Sequence, residues 1–273
     1  MTMTVETVGF IGAGNMAEAI VRGLVARGVV PAAQVTVADP SEARRTLLAD
    51  GFGVRATASN LEVVAGSDIV VLAVKPQMMA QALAPVATAF RGGQLVISIA
   101  AGLRTETLDS MCRYIPAIVR VMPNTPALVG QGVSALCAGP RAAVSHLDLA
   151  EALFATVGTT VRVEENMMDA VTAVSGSGPA YVFYWLEAML AVAGELGFAP
   201  AQARQLVYET LAGAAALAKA SEELPEVLRA RVTSKGGTTE AAINHLESTR
   251  VRDHLADAVK AAADRSRALS RLA

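Results

Sequence analysis

Short apolar runs alternate with amphipathic stretches from residue 5 to about residue 163, and beyond that point the apolar runs lengthen into helical periodicity. The runs at 5–11, 34–38, 68–74, 94–98, 117–121 and 159–163 read as strands, each bounded by Gly, Pro or Asp. Helical patterns at 15–27, 41–50, 78–89, 105–112 and 141–156 separate them. Strands and helices that alternate at this length predict a mostly parallel, doubly wound sheet. Ile69 to Val74 has no polar position, as expected of a strand buried on both faces. Behind it, 166–172, 179–197, 199–220, 225–231, 238–246 and 251–272 all read as helices, with Gly197 stopping one and Pro200 starting the next. The pattern therefore predicts two domains, 1–163 of α/β type and 164–273 all-α.

Composition supports this division. A chain of 273 residues, 53% hydrophobic and 18% charged, is long enough for two cores and too apolar for disorder. The Ala- and Leu-rich helices of the second half carry long apolar faces, which predicts pairing with a second copy of the chain. No apolar run reaches the ~18–20 residues of a membrane span. The first residues enter a strand without a basic leader, so a cytoplasmic protein is expected. With 23 basic and 25 acidic residues there is no electrostatic footprint for nucleic acid. Cys112 and Cys137 lack metal-ligand spacing and read as reduced, packed thiols. His146, His245 and His254 sit singly on polar helical patterns, so no metal site is expected.

The chemistry begins at the first strand–helix junction. Gly12-Ala13-Gly14-Asn15-Met16-Ala17 is a Gly-x-Gly-x-x-Ala turn. Gly12 permits the tight turn, Gly14 lets backbone approach a pyrophosphate, and Ala17 keeps the helix close to the sheet; the helix N-terminus then meets the phosphates. Asp39 ends the second strand, where an acid accepts from ribose hydroxyls and repels a 2′-phosphate. Ser41, Arg44 and Arg45 follow closely enough to meet a phosphate if Asp39 turns away, so NADPH and NADH both stay open, with a slight tilt towards NADH. Ala73, Val74, Lys75 and Pro76 end the next strong strand, and Ala100, Ala101 and Gly102 follow the one after it. Ligands bind outside the carboxyl ends of open α/β sheets, so these loops form the expected cofactor crevice. Arg120 to Pro126 supplies a stiff rim with two prolines.

Two glycine-rich segments stand out in the helical half. Ser175-Gly176-Ser177-Gly178 precedes Pro179, which suits the first turn of a helix. Ser234-Lys235-Gly236-Gly237-Thr238-Thr239 precedes another helix. Its Gly-Gly pair can present successive N–H groups to a carboxylate, while the Thr239 hydroxyl faces a small polar centre.

On these residues the chain resembles the pyrroline-5-carboxylate reductases. The resemblance runs through 10–17, 73–77, 120–126, 169–181 and 232–247, and so covers nearly the whole chain. It implies a Rossmann-type domain followed by an all-α dimerisation domain, and NADPH- or NADH-dependent reduction of 1-pyrroline-5-carboxylate to L-proline. It also implies dimers that assemble further into decamers. Carried over by position, Gly12, Ala13, Gly14, Asn15, Met16, Ala17, Asp39, Asn60, Ala73, Val74, Lys75, Pro76, Ala100, Ala101 and Gly102 would contact the cofactor. Ser234, Gly237 and Thr238 would hold the substrate, Thr239 would hydrogen-bond the ring nitrogen as the catalytic residue, and Glu165 is similar to a family residue near the substrate. The interlocking of subunits implies that Gly237 to Thr239 serve the partner's cofactor site.

Other readings make distinct demands. A β-hydroxyacid dehydrogenase needs a Lys in the helix after the glycine-rich segment, and Pro179-Ala180-Tyr181-Val182-Phe183 has none. A reductase of a related, six-membered cyclic imine differs by one methylene, worth only ~1–3 kcal/mol of selectivity. A non-catalytic dinucleotide sensor would keep the Gly12 to Ala17 turn and have no need of Gly237 to Thr239.

Overall fold

The computed structural model describes residues 7–270. Residues 5, 6, 271 and 272 of the predicted elements lie outside the described residues. Eight strands form one sheet in the order β3-β2-β1-β4-β5-β6-β7-β8. They are β1 (Val8–Ile11), β2 (Val35–Ala38), β3 (Arg55–Thr57), β4 (Ile69–Leu72), β5 (Leu95–Ser98), β6 (Ala117–Met122), β7 (Gly132–Ala138) and β8 (Gly158–Arg162). The crossover helices are α1 (Asn15–Ala26), α2 (Glu42–Phe52), α3 (Asn60–Gly66), α4 (Met79–Leu83), α5 (Thr105–Met111) and α6 (Val144–Phe154).

Side-chain alternation explains the double cover. Val8, Phe10, Ile69 and Val71 point into one apolar cluster with Ile20 and Leu24 of α1, whereas Ile11, Val70 and Leu72 point into another with Val63, Leu83 and Leu108. Every pairing is parallel except β6 with β7, where Arg120 opposes Cys137. No crossover helix lies between Met122 and Gly132, so β7 can only return antiparallel.

The sequence pattern misses three elements. β3 is three residues long and largely exposed, α3 has seven residues, and β7 carries too many small residues to stand out. The predicted helix at 78–89 is cut short: only Met79–Leu83 is α-helical, and Ala84–Ala89 tightens to a 3-10 helix around Pro85, whose ring and missing N–H break the α ladder.

Beyond β8 come α7 (Met168–Val171), a π-helical turn at Thr172–Gly176, then α8 (Gly178–Glu195), α9 (Pro200–Ala220), α10 (Pro225–Arg231), α11 (Thr238–Ser248) and α12 (Val251–Ser270). Strands give way to helices where expected, but compactness does not divide the chain at 163/164. One unit comprises Met1–Ser177 together with Ala262–Ala273, and the other Gly178–Ala261. The cause is packing. Met168 is fully buried against Ala135 and Cys137 of β7, and Asp169 Oδ1 accepts hydrogen bonds from Ser266 Oγ (2.6 Å) and Ser270 Oγ (3.2 Å). The last turns of α12 thus belong with the sheet.

The second unit has little core of its own. Among its described residues Ala193, Ala203 and Val207 are the buried apolar ones, while Phe183, Tyr184 and Trp185 are 56%, 76% and 50% exposed. Such a surface is the kind that a partner covers. No helix among the described residues is long and apolar enough to cross a membrane.

Candidate functional site

The strand order reverses beside β1: the chain runs from β1 outward through β2 and β3, then returns to β4 on the other side. The carboxyl ends of β1 and β4 therefore open a crevice, the usual ligand position in such sheets. The Gly12 N–H donates to the Ala38 carbonyl and the Ala73 N–H to the Ile11 carbonyl, both at 2.8 Å, which locks the three strand ends together. Gly12 has φ +99°, and a Cβ there would lie 2.7 Å from the Ala73 carbonyl oxygen. Gly14 is the opposite case. It caps α1 without a side-chain hydrogen bond, and a Cβ on it would meet nothing within 4 Å. Open space thus lies in front of a helix N-terminus whose first N–H groups lack partners, as a pyrophosphate requires.

Gly12, Gly14, Asp39, Asn60, Val74 and Lys75 line this cavity of about 420 Å³, and Ala73 joins them. That size falls within the ordinary range for small-molecule sites. Ala13 and Ala17 are buried beneath it as packing residues, and Asn15 and Met16 flank it without lining it. Pro76 opens a 3-10 turn after Lys75. Ala100, Ala101 and Gly102 follow β5 outside the cavity, with the Ala100 N–H donating to Ser98 Oγ at 3.3 Å. The sequence reading missed Ile11 and Ala38, the last residues of β1 and β2, which the strand-end rule picks out. It also missed Pro40, Ala58 and the Met78, Gln81 and Ala82 face beyond Lys75, which carry no chemical signature.

Polar groups in the wall are fixed. Asp39 Oδ2 accepts from the Ala13 N–H and Oδ1 from the Ser41 N–H, each at 2.8 Å. Arg44 Nε donates to the Ala13 carbonyl at 2.6 Å and its Nη2 to Glu18 at 2.8 Å. Arg45 Nη1 donates to the carbonyls of Asp39 (2.8 Å) and Pro40 (3.0 Å). Asn60 Nδ2 donates to the Ala82 carbonyl at 3.2 Å, which ties α3 to α4 across the cavity floor. Lys75 is exposed and has no ion-pair partner among the described residues.

Glu165 stands elsewhere in the same unit. Its Oε1 accepts from the Thr105 N–H and its Oε2 from Thr105 Oγ1, both at 2.6 Å, and Arg120 Nη1 lies 3.5 Å from Oε1. Arg120 is 3% exposed, with Nη2 buried and unpaired. Glu165 thereby ties the start of α5 to β6, and both oxygens are committed within the chain. Cys112 and Cys137 are free and buried. Burial pushes both thiols up to about 12, with the Asp109 charge adding at Cys112 and the Glu165 charge at Cys137.

The two glycine-rich segments differ. Pro179 does fall in the first turn of α8, yet a π-helical turn rather than a loop precedes it. Gly176 permits this, because a Cβ there would lie 2.5 Å from Met122 Cε. Asn124 holds the turn: its Nδ2 donates to the Ser175 carbonyl at 3.3 Å, and its Oδ1 accepts from the Val133 N–H at 3.0 Å. In the other unit, the Gly-Gly N–H groups are not free as expected. The Gly236 N–H donates to Glu240 Oε2 (2.8 Å) and the Gly237 N–H to the Ser234 carbonyl (3.0 Å). No side chain caps α11, so the N–H groups of Thr238 and Thr239 have no intrahelical acceptor. Thr238 is exposed and Thr239 half-buried.

Residues 165–269 match the family model described as pyrroline-5-carboxylate reductase dimerisation, and residues 7–102 match one described as NADP oxidoreductase, coenzyme F420-dependent. The pyrroline-5-carboxylate reductase of Pseudomonas aeruginosa is 42% identical over 269 residues, covering 98% of each chain. The chain belongs to the pyrroline-5-carboxylate reductase family. The family member from Arabidopsis thaliana is 40% identical over 96% of this chain and 95% of its own. Among solved structures, the reductase from Coxiella burnetii superposes with a TM-score of 0.91 at 36% identity, covering 97% of this chain and 98% of that one. The Plasmodium falciparum pyrroline carboxylate reductase with NADP bound reaches 0.88 at 29% identity, covering 98% and 99%.

Proposed function

We propose that the protein reduces the C=N bond of 1-pyrroline-5-carboxylate with NADPH or NADH and yields L-proline, the last step of proline biosynthesis. The observation that carries this is identity of about two-fifths with reductases of that name along essentially the full chain, joined to the crevice at Gly12 and Gly14. When bound, the reduced nicotinamide supplies hydride to the imine carbon, and a proton on the ring nitrogen completes the secondary amine.

The chain's own work is holding and orienting. The turn from Gly12 to Ala17 seats the pyrophosphate on the N-terminus of α1, Asp39 and Asn60 border the adenosine end, and Lys75 offers a cation beside the phosphates. Ala100, Ala101 and Gly102 form the small-residue surface for the nicotinamide. The substrate carboxylate is held by the open N–H groups of Thr238 and Thr239, with Ser234 and Gly237 shaping the turn, and the Thr239 hydroxyl orients the ring nitrogen. The one histidine in these matched segments, His245, is exposed in the last turn of α11, away from the Thr238–Thr239 end of that helix, so the proton arrives with the substrate or through water. Glu165 serves the substrate region by holding Thr105 and Arg120 in place. The poorly buried faces of α8 and α9 pair with a second copy, and decamers assemble from such dimers. Two buried thiols suit a reducing cytoplasm.

Loss of nicotinamide absorbance on adding 1-pyrroline-5-carboxylate is the direct test. Thr239→Ala is expected to lower kcat/KM at least tenfold with coenzyme affinity unchanged; unaltered kinetics would remove Thr239 from the mechanism. Coenzyme binding without oxidation by this imine or a six-membered one would favour the sensor instead.

A further inference from the structure

We propose that Asp39 selects the coenzyme and makes this protein prefer NADH to NADPH. The inference rests on the crevice being the seat of a nicotinamide dinucleotide. Position alone left the choice open, because Asp39 was free to turn away and Arg44 and Arg45 were free to meet a phosphate. The geometry removes both freedoms.

The Asp39 carboxylate is held at both oxygens by backbone donors, Ala13 N–H and Ser41 N–H, each at 2.8 Å. Turning it away would leave two N–H groups beside the cavity without an acceptor. Its own backbone is pinned as well, since Arg45 Nη1 donates to the carbonyls of residues 39 and 40. Arg44 is spent on the Ala13 carbonyl and Glu18. The two cations nearest in sequence therefore build the seat of the carboxylate instead of balancing its charge within the cavity. Lys75 lines the same cavity from the end of β4, two strands away from β2 in the sheet, on the pyrophosphate side.

Each carboxylate oxygen keeps a lone pair after accepting one N–H, which suits the two hydroxyls of an adenosine ribose. A phosphate ester at the 2′ position brings a charge of about −1.5 to −2 against that carboxylate in a partly enclosed site. Discrimination here comes from charge. Removing the charge while keeping the shape should abolish it.

The test is equilibrium titration of the full-length protein with NADH and with NADPH, in the absence of substrate, at low and moderate salt. Wild type is expected to bind NADH at least tenfold tighter than NADPH. Asp39→Asn, which retains one acceptor and the same volume, should bring the two dissociation constants within about threefold, chiefly through tighter NADPH. Asp39→Ser, the smaller variant, should do the same, and a thermal melt of each variant shows whether the Ala13 turn has survived. Tighter binding of NADPH by wild type, or an unchanged ratio in a folded Asp39→Asn, overturns the proposal. Failure of the activity reading looks different: both coenzymes bind with the NADH preference intact, yet no imine is reduced.

Discussion

Gly14→Ala separates the cofactor cradle from the fold that carries it. Gly14 sits at φ −70° and ψ 177°, extended backbone that alanine adopts readily, and a Cβ there meets no protein atom within 4 Å. Restricting the unfolded chain favours the variant by about 0.4–1 kcal/mol, and a weaker N-cap costs a similar amount, so stability should stay within about 1 kcal/mol of wild type. The new methyl group instead occupies the space in front of the α1 N-terminus. Losing one charge-assisted hydrogen bond to the pyrophosphate costs about 1.5–3 kcal/mol, or roughly 10- to 100-fold in coenzyme affinity. Gly12→Ala is the contrasting control. Its φ of +99° and the 2.7 Å approach to the Ala73 carbonyl oxygen oppose any side chain, so the fold itself should lose about 1–3 kcal/mol or more. Differential scanning fluorimetry reads the stability of both variants, and coenzyme titration reads the cradle. The reasoning fails if Gly14→Ala binds coenzyme as wild type does, or if it melts as early as Gly12→Ala.

Two further outcomes follow from the buried polar and thiol groups. Glu165→Ala strands Arg120 and the Thr105 N–H; because Glu165 is 29% exposed, the expected loss is about 2 kcal/mol rather than the larger cost of a fully buried pair, and an unchanged urea midpoint would contradict it. Cys112 and Cys137 keep their protons in the fold from the ordinary value of 9.0 up to about 12, whereas the unfolded chain ionises near 9. Their contribution is therefore complete below about pH 9 and is lost as pH rises towards 12, so unfolding free energy should fall across that window and fall less steeply in Cys112→Ala.

The parts of this fold that were legible in the sequence share one property: their signal is local. The apolar run of β4, the Gly-x-Gly-x-x-Ala turn and the Gly197/Pro200 punctuation announce themselves within a few residues. Seven of the expected cofactor contacts meet in one cavity; six of them, all but Asn60 at the start of α3, stand at or just beyond strand ends, and the doubly wound order fixes where strand ends converge. What stayed hidden is set by partners far along the chain. β3 is a strand because β2 offers it an edge, not because Arg55-Ala56-Thr57 favours one. The π-helical turn at 172–176 depends on Asn124 and Met122, some fifty residues earlier. Similarly, the free N–H groups of the Ser234 turn lie two residues further along, at Thr238 and Thr239, since Glu240 and Ser234 claim those of the glycines.

The grip of Asp169 on Ser266 and Ser270 also bears on how the protein is made. A ribosome delivers the sheet and its glycine turn first, but residues 262–270, which complete this unit, emerge only after the whole helical excursion of 178–261. Until then Asp169 lacks both hydroxyl donors, and Leu269, whose Cβ would lie 3.7 Å from a Cβ placed on Gly102, is not yet there to bound the space beside that glycine. The nascent dinucleotide-binding unit thus lacks these contacts through synthesis of the entire helical excursion and gains them only when the last turns of α12 follow it.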